Sequence, residues 1–120
     1  MSYSKIEKEK FDEAKLHSKN GDVEGTLNIM KELINLNPNS ALFHAVLANS
    51  YWDNNQLVQA EEEFSISVVL APNSEKYSLG LFHCLWENNK KEEALEEMKR
   101  FLSISESNDY QEILKEINMK

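Results

Sequence analysis

The two prolines of this chain lie 34 residues apart, and each opens the same tripeptide: Pro38-Asn39-Ser40 and Pro72-Asn73-Ser74. A fixed period constrains the fold more than composition does, because repeated units stack on their neighbours instead of closing around one centre. The same offset pairs Trp52 with Trp86, Asn54-Asn55 with Asn88-Asn89, Leu47 with Leu81, Ala60 with Ala94 and Phe64 with Met98. Taken towards the N-terminus, it aligns Asn20-Gly21 with Asn54-Asn55, Ala14 with Ala48 and Met30 with Phe64. Three copies, at about 7–40, 41–74 and 75–108, account for most of the 120 residues.

Within each copy the apolar residues follow helical spacing in two segments separated by a polar turn, so each copy is a helical hairpin. In the middle copy the spacing predicts a first helix over about Ala41–Asp53, capped by Ser40, then the turn Asn54-Asn55-Gln56. The second helix carries Leu57, Ala60, Phe64, Val68 and Leu70 and must stop before Pro72, which restricts its predecessor and cannot continue the hydrogen-bond ladder. Gly21-Asp22 forms the turn of the first copy, glycine tolerating a left-handed backbone and Asp22 capping the next helix. Ser4-Lys5-Ile6-Glu7 has the order of a capping box. Beyond the third copy, Tyr110, Ile113, Leu114 and Ile117 share one face of a further helix over about Asp109–Met119, placed to cover the open side of the last hairpin.

The composition agrees with helix: three glycines and two prolines are few for a fold of tight β-hairpins. With 13 Lys and Arg against 21 Asp and Glu the net charge is −8, which repels phosphate backbones and anionic lipid and argues against nucleic-acid or membrane partners. Cys84 is the only cysteine, so neither an internal disulfide nor a thiolate zinc cluster can form. No run approaches the roughly 20 apolar residues of a membrane span. The stretch Met1–Asp12, with Lys and Glu around Tyr3, Ile6 and Phe11, lacks the apolar centre of a signal peptide. A cytoplasmic location is the expectation.

Helical hairpins of this length ending in Pro-Asn-Ser resemble the tetratricopeptide repeat (TPR) family, and the resemblance covers about 102 of the 120 residues. The middle copy carries it most fully: Leu47-Ala48, Tyr51, Ala60, Phe64 and Pro72 reproduce the family's large, small and aromatic order. In the third copy Phe82 stands where the family places Gly or Ala, so that hairpin must splay or rotate unless room is made elsewhere. In the first, Glu13 and His17 stand where Leu and an aromatic are usual, and Thr26 replaces the small alanine. The resemblance implies an all-α, right-handed superhelical stack of three hairpins plus a C-terminal capping helix, forming a single domain.

It also implies a concave groove, lined by the first helices, that holds a partner's peptide or helix. The groove-facing residues are then Phe11 and Lys15 from the first copy, Leu42, Val46, Asn49 and Trp52 from the second, and Lys76, Leu79, His83 and Trp86 from the third. Such an apolar strip reads as a docking surface, against the alternative that the Trp pair is interhelical core. The family's carboxylate clamp for chaperone tails needs Lys, Asn, Asn, Lys and Arg at five places, which here hold Phe11, Lys15, Val46, Lys76 and Gly80. Only Lys76 matches, which argues against that ligand.

Between Glu32 and Glu75 there is no Lys or Arg, and the copies carry net charges of −2, −4 and −2, so a basic or neutral apolar partner is expected. The Glu61-Glu62-Glu63 run reads as a solvated outer helix face. His17, His44 and His83 occupy three different places in the repeat and Cys84 reads as a small core residue, so no catalytic, metal or cofactor site is expected. The sequence therefore points to a protein-interaction module for an apolar or aromatic, basic peptide or helix. Two alternatives stand beside it: a small dedicated chaperone or inhibitor, such as an immunity protein, masking one cognate protein, and a self-associating repeat protein.

Overall fold

The computed structural model describes residues 4–118; Tyr3 and Met119, both invoked above, lie outside them. Seven helices follow one another: α1 Lys5–Lys19, α2 Val23–Leu36, α3 Ala41–Asp53, α4 Leu57–Leu70, α5 Glu75–Glu87, α6 Lys91–Leu102 and α7 Asn108–Asn118. They pair as α1/α2, α3/α4 and α5/α6, and each of α2 and α4 also packs on the first helix of the next hairpin. The result is an all-helical superhelical stack, elongated at 47 × 29 × 20 Å.

Local chemistry sets the helix ends. Ser40, Ser74 and Ser107 each accept a hydrogen bond from the backbone N–H three residues on, at 3.2, 3.2 and 3.1 Å, satisfying a donor that the first turn of α3, α5 or α7 leaves open. Ser4 and Glu7 close the capping box reciprocally, and Asp22 accepts from Gly25 N–H at 2.9 Å to cap α2. The hairpin turns share one backbone device: Gly21, Asn55 and Asn89, one period apart, have φ of 75°, 60° and 63°. Asparagine is among the few side chains that tolerate this left-handed conformation. α2 and α4 end two residues before Pro38 and Pro72. No proline follows α6, and Ser107 lies 33 residues after Ser74, so α7 begins one residue earlier than the period alone places it.

The interior forms two apolar clusters. Ala14, Leu27, Ile29, Met30, Leu33, Phe43 and Leu47 join α1, α2 and α3. A larger one runs from Ala45 and Ala48 through Phe64, Phe82, Met98 and Phe101 to Tyr110. Tyr51 packs against both. Ala48 and Ala60 are fully buried, the small residues that let α3 and α4 approach closely. Room for Phe82 is found on the side of the capping helix: its ring meets Tyr110 edge-on at 5.6 Å and stacks on Trp86 at 5.6 Å. Tyr110, with Ile113 and Leu114, thereby closes the last hairpin.

Two polar networks reinforce the second and third hairpins. His44 Nε2 lies 2.7 Å from the Pro38 carbonyl and so donates to it, while Nδ1 lies 2.7 Å from Glu63 Oε1. One period on, Glu97 receives Arg100 through two hydrogen bonds of 2.9 and 2.7 Å and Ser78 Oγ at 2.7 Å. Arg100 also donates to the Pro72 carbonyl at 3.0 Å, and Ser78 reaches Tyr110 Oη at 2.7 Å. The prolyl carbonyl is served from the first helix in one hairpin and from the second in the next, while the glutamate has a first-helix partner in both, His44 and, one period on, Ser78.

Candidate functional site

The ten residues expected to face the groove come from α1, α3 and α5, the first helices of their hairpins. Two depressions form where these helices meet their neighbours. The first, of about 370 Å³, is lined by Phe11, Ala14, Lys15, Lys19, Thr26 and Val46. Lys15 Nζ sits 5.0 Å over the Phe11 ring and 3.7 Å from Asp12, so its charge is shared with its own helix. Phe11 in turn lies 5.5 Å from the Phe43 ring. The second depression, of about 410 Å³, is lined by Phe82, His83, Trp86, Lys91, Ile113, Glu116 and Ile117, so the capping helix supplies one wall. Sequence reasoning missed Ile113 and Ile117 as lining residues: they were assigned to the cap, and the cap and the depression share them.

The remaining expected residues separate by environment. Leu42 and Val46 are half-buried against the first apolar cluster, and Leu79 against the second. Asn49, Lys76 and His83 are exposed. His83 sets its ring edge-on to Phe82 at 5.5 Å. The two tryptophans, equivalent by period, differ in the structure. Trp52 remains 36% exposed, while Trp86 is half-buried, stacked on Phe82, with Lys91 Nζ 4.8 Å over its ring. Trp86 has Phe82 to stack on, whereas the residue at that place before Trp52 is Ala48.

Four of the five clamp positions stay without their chemistry. Gly80 faces Phe64, whose ring atoms lie 2.5–2.8 Å from where a Cβ would stand, so no long cationic side chain fits that point. The departures in the first copy have their own roles: His17 Nδ1 lies 2.8 Å from Asp22 Oδ2, and hydrogen bonds from Gly25 and His17 hold the Asp22 carboxyl below its ordinary range.

The glutamate run is a correction to the reading of a solvated face. Glu61 accepts from Asn88 at 2.9 Å and from Lys90 at 2.9 Å, tying α4 to the end of α5 and the start of α6 and raising the Lys90 ammonium above its usual range. Glu63 pairs with His44. Glu62 alone of the three is exposed. Cys84 is fully buried, and burial, with Glu61 nearby, pushes its thiol up to about 12. Among the described residues no group of three or more His, Cys, Asp or Glu side chains is placed to hold a metal ion, and no helix is long and apolar enough to cross a membrane.

No family model matches the sequence, and no curated protein matches it. Solved structures match its fold over nearly the whole chain. A chain of the CopN-Scc3 complex superposes with a TM-score of 0.82 at 20% identity, covering 96% of this chain and 68% of that one. The first TPR of Spaghetti (RPAP3), solved bound to an HSP90 peptide, gives 0.83 at 16% identity, covering 98% and 94%. The Yersinia enterocolitica type III secretion chaperone SycD, solved with a peptide of the translocator YopD, gives 0.80 at 15% identity, covering 98% and 90%.

Proposed function

Because the chain has a tetratricopeptide-repeat fold, we propose that it is a protein-interaction module whose first-helix face receives an apolar or aromatic peptide or helix of a partner protein. The observation that carries this reading is Trp52, a large aromatic left 36% exposed on α3, with an apolar depression on the α1 side and another between α5 and α7. Large exposed aromatics beside pockets are the usual anchors of protein interfaces. Two of the solved likenesses hold peptides, which fits the reading.

In mechanism, apolar side chains of the partner would enter the depressions at Phe11/Val46 and Phe82/Trp86, and its backbone would pass Trp52 and Asn49, whose amide can both donate and accept. The polar groups flanking the depressions are Lys15 and Lys19 at one end and His83, Lys91 and Glu116 at the other. This face makes no demand for a basic peptide, so the reading narrows to apolar and aromatic character.

Affinity capture with the wild type and a Trp52→Ala variant tests it. Trp52 is partly exposed, so the variant should keep its melting transition within a few degrees while losing the partner that the wild type retains. Trp86→Ala should instead cost about 1–3 kcal/mol of stability, because the ring stacks in the wall of the last hairpin. Unchanged capture by Trp52→Ala would move the binding surface off this face.

A further inference from the structure

The period supplies an internal control for every surface position, and on that control one helix stands apart. The exposed residues of α6 are Lys91, Glu92, Glu93, Glu96 and Lys99, all charged, and those of α2 are polar except Leu36. The exposed residues of α4 are Val58, Gln59, Glu62, Ile66, Val69 and Leu70. Val58 corresponds to Glu24 and Glu92, Ile66 to Glu32 and Arg100, and Val69 to Asn35 and Ser103. The fold therefore does not require apolar residues there, yet Val58 is 59% and Val69 79% exposed. At 100° per residue the six fall within about 120° of arc, one continuous face. Since α4 packs on α3 and α5, that face turns away from both and from the first-helix groove.

Electrostatics says what covers it. Glu62 sits in the middle of the face and, among the described residues, makes no hydrogen bond or ion pair, whereas Glu61 and Glu63 are committed to Lys90 and His44. Lys90, the ammonium that feels the Glu62 charge, is itself held by Glu61 at 2.9 Å. Two copies of α4 packed about a two-fold axis would set Glu62 against Glu62 and bury two like charges without a partner, which disfavours self-association through this face. We propose that the outer face of α4 is a second docking surface, taken by an amphipathic helix of another protein whose apolar stripe carries a Lys or Arg opposite Glu62. The 14 residues of α4 span about 21 Å, enough for roughly four turns of such a helix. This surface is separate from the groove and does not rest on the reading of it.

The test uses a fluorescein-labelled amphipathic peptide of about 15 residues with one central Lys, matched to α4 in length, and a twin with Glu at that place. Fluorescence anisotropy should show the Lys peptide binding at least about tenfold tighter than its twin. The triple variant Val58→Glu, Ile66→Glu, Val69→Asn should lose that binding; it borrows the residues that the first repeat carries at the same places, which favours its folding. Glu62→Lys should reverse the order of the two peptides, and this outcome decides even where the triple variant fails to fold. Trp52→Ala should bind as the wild type does. Absence of binding, equal binding of both peptides, or a Lys peptide indifferent to both α4 variants overturns the proposal. Loss of binding in Trp52→Ala also overturns it and assigns the peptide to the groove. A wild-type dimer in sedimentation velocity that the triple variant dissolves overturns it in favour of a second copy.

Discussion

Gly80 shows how much one absent side chain can decide. The Phe64 ring occupies the space where its Cβ would be, so Gly80→Ala gains helix propensity of about 1 kcal/mol yet forces a well-packed ring aside. The clash should win, with a net loss of about 1–2 kcal/mol in urea denaturation. Tyr110 makes a second residue-scale case. Burial pushes its phenol up to about 12 from an ordinary 10, Ser78 opposing the shift through its hydrogen bond and Glu97 adding to it. A folded value raised above the unfolded one means stability that is complete below pH 10 and is lost as pH rises towards 12. Alkaline titration followed at 295 nm should show one tyrosine ionising late, together with falling stability over that window. Neither effect was legible in advance. In the sequence Gly80 is only a mismatched clamp position, and a ring arriving from the preceding hairpin leaves no mark within the sequence around it.

The helices themselves were largely readable. α3 has the expected bounds, Ala41–Asp53, because Ser40 and Asn54 punctuate it chemically and the prolines limit its neighbours. Apolar spacing also identified α7, although its covering role only partly describes it, since Ile113 and Ile117 line a depression as well. The polar ties within hairpins were not seen. Glu63 and Glu97 lie one period apart, as do their first-helix partners His44 and Ser78, but those partners are unlike residues, and Arg100 adds a second donor from α6. A search for equivalent residues cannot find equivalent interactions made by unlike residues. His44→Leu tests the element-scale role: it leaves the Pro38 carbonyl and Glu63 without their donor. A loss of about 1–3 kcal/mol is expected, read as a lower midpoint in thermal or urea unfolding.

Across the whole molecule, stability is divided between two clusters of unequal extent joined through Tyr51. The smaller joins α1, α2 and α3, and the first hairpin has a stacking neighbour on one side only. Hydrogen exchange should therefore open α1 at lower free energy than α4 and α5, which have neighbours on both sides. Uniform protection along the chain would mean that the stack opens as one unit. The candidate site is divided too: the first-helix face was legible because the repeat assigns it, whereas the apolar face of α4 required burial values before its departure from α2 and α6 could be recognised.

The change of partner, the His44 ring in one hairpin and the Arg100 guanidinium with Ser78 in the next, also determines where such a chain can be cut and rejoined. A crossover between hairpins carries each glutamate together with its own donor. A crossover at Asn54-Asn55 or Asn88-Asn89 would instead join α3 to α6, setting both the His44 ring and the Arg100 guanidinium at Glu97, or α5 to α4, leaving Glu63 with the Ser78 hydroxyl alone. The tandem arrangement is thus modular only at the prolines. Shuffling or consensus design on this chain should treat the complete 34-residue hairpin, and not the single helix, as its smallest interchangeable piece.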